Sequence, residues 1–199
     1  MATTTRTFIA LELDAAQQCF LENIIQQGRH LLPALHWVDP AGIHLTLAFL
    51  GELNDERLAQ ACEAATEAAR GSQPFAYRLS GLGTFGPPRQ PRVLWMGVSE
   101  PTGALHRVHQ ALAHALEQRG FASEKRPFSP HLTLARIKAP LTPEQIQILQ
   151  QLLSRYQFES PIYHVVYLYL MKSELASTGA RYTCLQASPF QSGTFGVSY

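Results

Sequence analysis

The pentapeptide His44-Leu45-Thr46-Leu47-Ala48 recurs as His131-Leu132-Thr133-Leu134-Ala135, so an imidazole with a hydroxyl two residues beyond it occurs twice in one chain. That set suits a phosphodiester. Hydrolysis of such a bond needs a proton taken from water, a proton given to the departing oxygen, and charge stabilised on the phosphoryl oxygens. Two histidines serve the first two needs, because an ordinary pKa of about 6.5 leaves one ring neutral and the other protonated near neutral pH. Threonine hydroxyls donate to phosphate oxygens. His44 and His131 are the candidate catalytic pair, with Thr46 and Thr133 as candidate substrate contacts. A lone histidine is more often structural and a lone threonine a strand former; repetition of the whole word favours function here.

Both copies lie in predicted strands, where successive side chains point to opposite faces. His44 and Thr46 then share one face and Leu45 and Leu47 the other, and the second copy repeats the arrangement. The leucines anchor each strand to a core, leaving the two His-Thr faces to converge from two lobes related by a pseudo-twofold axis. Arg136 follows the second copy and would complement a phosphate's charge. Strict alternation places it on the leucine face, so only a twist or bulge brings it beside His131.

Around these strands the chain reads as an α+β protein. Strands are expected over 7–13, 43–50, 75–82, 92–98, 129–137, 162–172 and 181–186, with a long Gly/Pro-rich loop over 83–91. Asp14 caps a helix running toward Gly28, Asn54 one ending at Arg70-Gly71, and Thr142-Pro143 one ending near Tyr156. Leu105, Val108, Leu112 and Leu116 recur at helical spacing over 102–119. The tail is ambiguous. Short turns between several strands predict antiparallel or mixed sheets, with helices on their outer faces.

Lys plus Arg exceed Asp plus Glu by one, which excludes a bulk positive field along a long nucleic acid. Cys19, Cys62 and Cys184 are odd in number and widely spaced, against a disulfide framework or thiolate metal site. The opening residues lack a secretory pattern, and the longest apolar run, Val165 to Met171, is far short of the roughly 20 residues that cross a bilayer. A cytoplasmic protein without membrane contact, with no metal and no cofactor, is expected.

On its two His-x-Thr-x motifs the sequence resembles the two-histidine phosphoesterase superfamily. Thr7-Phe-Ile-Ala10, His44-Leu-Thr-Leu-Ala-Phe-Leu-Gly51, Arg126-Pro-Phe-Ser-Pro-His131 leading into Leu-Thr-Leu-Ala-Arg136, and Arg181-Tyr-Thr183 together resemble one branch. That branch is the RNA 2′,3′-cyclic phosphodiesterases, also called 2′-5′ RNA ligases. The resemblance covers nearly the whole chain. It implies one bilobal domain over 1–199 with a central cleft, hydrolysis of a cyclic phosphate RNA end to a 2′-phosphate, and in some members reversible 2′-5′ ligation. It further implies that Arg136 contacts the phosphate. Absence of a G-x-x-x-x-G-K-[ST] loop argues that any ligation is ATP-independent. The alternatives are another 2′-5′ or cyclic nucleotide or metabolite as substrate, or a noncatalytic RNA-end binder. A monomer is expected.

Other residues carry weaker readings. His106, His109 and His114 read as solvated helix-face residues rather than a metal cluster, since zinc needs three or four ligands. His30, His36 and His164 have no partner pattern. Arg126 and Arg181 are either an RNA path or solvated charge. Phe8, Phe49, Phe85 and Phe128 are core candidates, one of which stacks a nucleobase; the sequence does not single it out.

Overall fold

In the structure, a computed structural model that describes residues 4–157, 159–176 and 179–191, two sheets are built with every strand pairing antiparallel among the described residues. β1 (Thr5–Glu12) is an inner strand, and the buried run Thr7 to Leu11 reflects cover on both its faces. It pairs with β3 (His44–Leu53) on one side and β8 (Tyr167–Ala176) on the other, with β9 (Gly179–Pro189) beyond. The second sheet runs β2 (His36–Trp37), β6 (His131–Arg136), β5 (Val93–Ser99), β4 (Phe75–Phe85), β7 (Tyr163–Val165).

The two sheets are therefore not the two halves of the sequence. Each sheet draws strands from both ends, and the chain crosses between them repeatedly. The pseudo-twofold expectation survives in strand order: β3 and β6 each pair with an inner neighbour, β1 and β5, and both carry the repeated pentapeptide.

Four helices complete the described fold. α1 (Ala15–Leu31) starts in a capping box in which Asp14 accepts from the Gln17 backbone and Gln17 reaches back. It continues past Gly28, where a stop was expected. That glycine is a contact site: a Cβ there would stand 2.1 Å from the Trp37 ring, so the absence of a side chain lets the indole pack on the helix. Gln17 also donates to the Tyr77 hydroxyl at 2.6 Å, tying α1 to β4. α2 (Asp55–Arg70), capped by Asn54, buries Ala61, Ala64, Ala65, Ala68 and Ala69, small enough for close approach to β8 and β9. α3 (Ala104–Gln118) packs on α2, and α4 (Pro143–Arg155), started by Thr142, packs on β4.

Three further expectations are refined. β4 runs to Phe85 rather than 82, β3 continues through Gly51, whose φ of 74° glycine tolerates, and the expected 162–172 strand divides into β7 and β8. The tail, 192–199, lies outside the described residues. Among the described residues, no helix is long and apolar enough to cross a membrane.

Candidate functional site

Leu45 and Leu47 on β3 are buried while His44 and Thr46 are half-buried, which is the predicted alternation. The 3-10 turn Pro40–Gly42, capped by Asp39, aims the Gly42 carbonyl at the His44 ring, 2.9 Å from Nδ1. A carbonyl only accepts, so Nδ1 carries the proton and Nε2 is the nitrogen left for chemistry. The ring stacks on Phe8 at 4.4 Å and 25°, and Tyr182 meets it edge-on at 4.9 Å. Phe8, Ala10 and Met171 form a small apolar bed, with Tyr169 and Tyr182 against it.

Burial in this bed pushes the His44 pKa below its ordinary value, partly offset by the Gly42 hydrogen bond. Its inflection in a pH–rate profile therefore falls below about 6.5. Phe8→Ala admits water to the ring and raises that inflection. The acid limb moves if His44 works neutral, the alkaline limb if it works protonated, so a pH profile of the variant assigns its role. A profile with both limbs unmoved contradicts the burial argument.

His131 repeats the device. Its Nδ1 lies 2.7 Å from the Ser129 carbonyl, again leaving Nε2 available, and Phe85 meets the ring edge-on at 4.7 Å. Across the sheet Gly97 pairs with His131 and Trp95 with Thr133. Trp95 occupies the space above Gly83, where a Cβ would come within 2.2 Å of the indole.

Strict alternation does not hold at Arg136, because β6 carries the bulge that a place beside His131 requires. Leu94 pairs with Ala135 but Trp95 with Thr133, so Leu134 is an extra, bulged residue, and Leu134 and Ala135 are both buried. The bulge shifts the period by one. Arg136 pairs with Val93, on the face that Trp95 and Gly97 share with Thr133 and His131. The guanidinium is thus on the histidine face, and His36 of β2, which had no partner pattern in sequence, is its cross-strand neighbour.

The first copy carries the same bulge. Ile9 pairs with Ala48 and Ala10 with Thr46, leaving Leu47 over, so Phe49 joins the face of His44 and Thr46 and pairs with Phe8. Phe49 therefore stands where Arg136 stands in the other sheet, and it is 74% exposed. β3 also touches β6, bringing the two motif strands together across the sheets.

Other sequence candidates are placed elsewhere. Arg126 is tied to Glu124 at 2.9 Å, and Arg181 faces Glu174, on the side of β9 away from Tyr182. Phe8 is buried beneath His44, and Phe85 lies against His131 and Trp95. His109 is half-buried against Phe128 rather than solvated as expected, whereas His106 is exposed as expected, with its ring edge-on to Phe128. Among the described residues no group of three or more His, Cys, Asp or Glu could hold a metal ion. Trp95 was missed in sequence, where an isolated strand aromatic has no signature, and Tyr182 entered there only within the Arg181-Tyr-Thr183 resemblance, with no role beside His44.

Comparisons bear on this geometry. Residues 19–174 match the model of the 2′-5′ RNA ligase superfamily. The chain is 30% identical over 188 residues to an RNA 2′,3′-cyclic phosphodiesterase of Thermotoga maritima, covering 94% of this chain and 97% of the relative. It is 37% identical over 145 residues to the enzyme so named of Geobacillus stearothermophilus, covering 71% of this chain but only 46% of that longer relative. Among solved structures it is similar to Thermus thermophilus TT0787 (TM-score 0.77, 27% identity, 94% of this chain and 99% of that one). It is also similar to E. coli LigT with 3′-AMP (TM-score 0.72, 27% identity, 95% and 99%). The matched model spans most of the chain, both motif strands included: the protein belongs to the 2′-5′ RNA ligase superfamily.

Proposed function

We propose that this protein is an RNA 2′,3′-cyclic phosphodiesterase in which residues 1–199 act as one bilobal unit. The observation that carries this reading is the pair of bulged His-x-Thr strands, each presenting a histidine whose Nδ1 is committed to a backbone carbonyl. A cyclic phosphate held between them has a water on one side and the ribose O3′ on the other. One Nε2 removes the water's proton as oxygen bonds to phosphorus, and the other protonates O3′ as its bond to phosphorus breaks. Thr46, Thr133 and Arg136 hold the phosphoryl oxygens, and the product is a 2′-phosphomonoester. The relatives' names support the substrate, and the 3′-AMP bound to LigT supports a nucleotide-sized site.

The test is a short RNA with a 2′,3′-cyclic end, incubated in excess chelator. A 2′-phosphate product and a bell-shaped pH profile are expected; an unchanged substrate, or turnover lost to chelation, contradicts the reading. The family relationship also favours a parallel transesterification, in which an RNA 5′-hydroxyl replaces water at the cyclic phosphate and forms a 2′-5′ bond as the bond to O3′ breaks, without ATP.

Phe49 takes the terminal nucleobase. It alone of the four sequence candidates combines the motif face with a largely exposed ring, and one stacked base is worth about 1–3 kcal/mol. Phe49→Ala lowers kcat/KM on the cyclic end roughly five- to 150-fold on that scale, and Phe49→Trp retains activity. Equal rates for Phe49→Ala and the parent would remove it from the site.

A further inference from the structure

The two orienting carbonyls are supported very differently. Gly42 lies in a closed turn, with its N–H on the Asp39 carbonyl at 2.9 Å and the Ile43 N–H on Pro40 at 3.2 Å, and Ile43 itself is buried. Ser129 lies in an irregular stretch before β6. Among the described residues, 122–130 make no backbone–backbone hydrogen bond, and Pro127 and Pro130 have no N–H to give. A carbonyl so placed would wander unless a side chain beside it were fixed.

Phe128 is that side chain. Residues 122–127 and Ser129 are exposed, whereas Phe128 is half-buried and packs against the main core. The His109 ring lies flat on it at 4.0 Å and 6°, and His106, one helical turn earlier, meets it edge-on at 5.5 Å. Both histidines are carried by α3, anchored by buried Leu105, Val108, Leu112 and Leu116. Burial, reinforced by the neighbouring His106, holds His109 toward its neutral form, which suits ring stacking.

We propose that Phe128, clamped by His109 and His106, is a positioning residue for His131: it fixes the Ser129 carbonyl, which fixes the proton on Nδ1 and so frees Nε2. The consequence for catalysis rests on the proposed role of His131, but the clamp itself is a property of the free protein. The His131 strand thus reaches through an aromatic plug and α3 for what the His44 strand obtains from a turn.

The experiment is histidine side-chain 15N NMR on the uncomplexed full chain, comparing the parent with Phe128→Ala, Phe128→Tyr and His109→Ala. Alanine suits the helix at 109, so that variant separates the clamp from loss of folding. In Phe128→Ala and His109→Ala the His131 resonances are expected to leave the Nδ1–H pattern for a mixture of tautomers, with those of His44 unchanged; Phe128→Tyr restores the parent pattern. On cyclic-end RNA, kcat falls roughly tenfold to a hundredfold, short of the ~10⁴-fold loss that a wrong histidine tautomer has produced elsewhere, while KM stays within about twofold. An unaltered His131 pattern in both alanine variants, or His44 altered as much as His131, overturns the proposal. A parent protein inactive on cyclic ends would overturn the functional reading, yet leave the NMR result to decide the clamp.

Discussion

Alanine at His44 or at His131 lowers kcat on a cyclic phosphate RNA end by about 10²–10⁴-fold, the range for loss of a general acid or base. The double variant should be little worse than either single one, since two groups serving one proton-transfer step fail as a unit. Stability separates the two. The His44 ring fills the space between Phe8 and Tyr182, so His44→Ala also costs about 1 kcal/mol of folding stability, a typical value for a partly buried site. His131 is braced by an edge contact with Phe85 and a carbonyl, so His131→Ala loses rate with its melting temperature nearly kept. Single-turnover rates and thermal melts of both variants check this; either variant retaining a near-parent rate contradicts the proton-pair assignment.

Arg136→Ala is the second large effect, a loss of about 10²–10³-fold in kcat, comparable to removing one group that stabilises transition-state charge. Arg136→Lys recovers only part, because an ammonium keeps the charge and loses the two-pronged grip on a phosphate. The expectation depends on the bulge at Leu134, without which the guanidinium would point into the core face. Rates for Arg136→Ala within threefold of the parent would mean that the side chain does not reach the phosphate.

Much of this was readable in residues 44–48 and 131–135, because a repeated word and a period of two require no knowledge of tertiary structure. The facing of His44, Thr46, His131 and Thr133 came out as expected from alternation with buried leucines. Arg136 did not: a bulge is a ladder irregularity set by the partner strand, and the pentapeptide has no glycine or proline to announce it. The same blindness hid Phe49, which reads as one more core phenylalanine until the bulge at Leu47 turns it outward.

Gly28 misled for a related reason. A glycine near a helix's end reads as a stop, and only the Trp37 ring lying against it reveals its use. Two-residue β2 is too short to leave a pattern, and the interleaving of the sheets follows from crossovers that local sequence does not encode. His109 looked solvated because its partner, Phe128, is 19 positions away in a segment without periodicity.

A crystal structure of the protein with a nucleoside 2′-monophosphate is the most direct measurement of the shared site. One phosphate is expected within hydrogen-bond reach of Nε2 of both His44 and His131, with Arg136 on its oxygens and the base on Phe49. A phosphate seated on one strand alone, or histidines reaching it through Nδ1, would contradict the account.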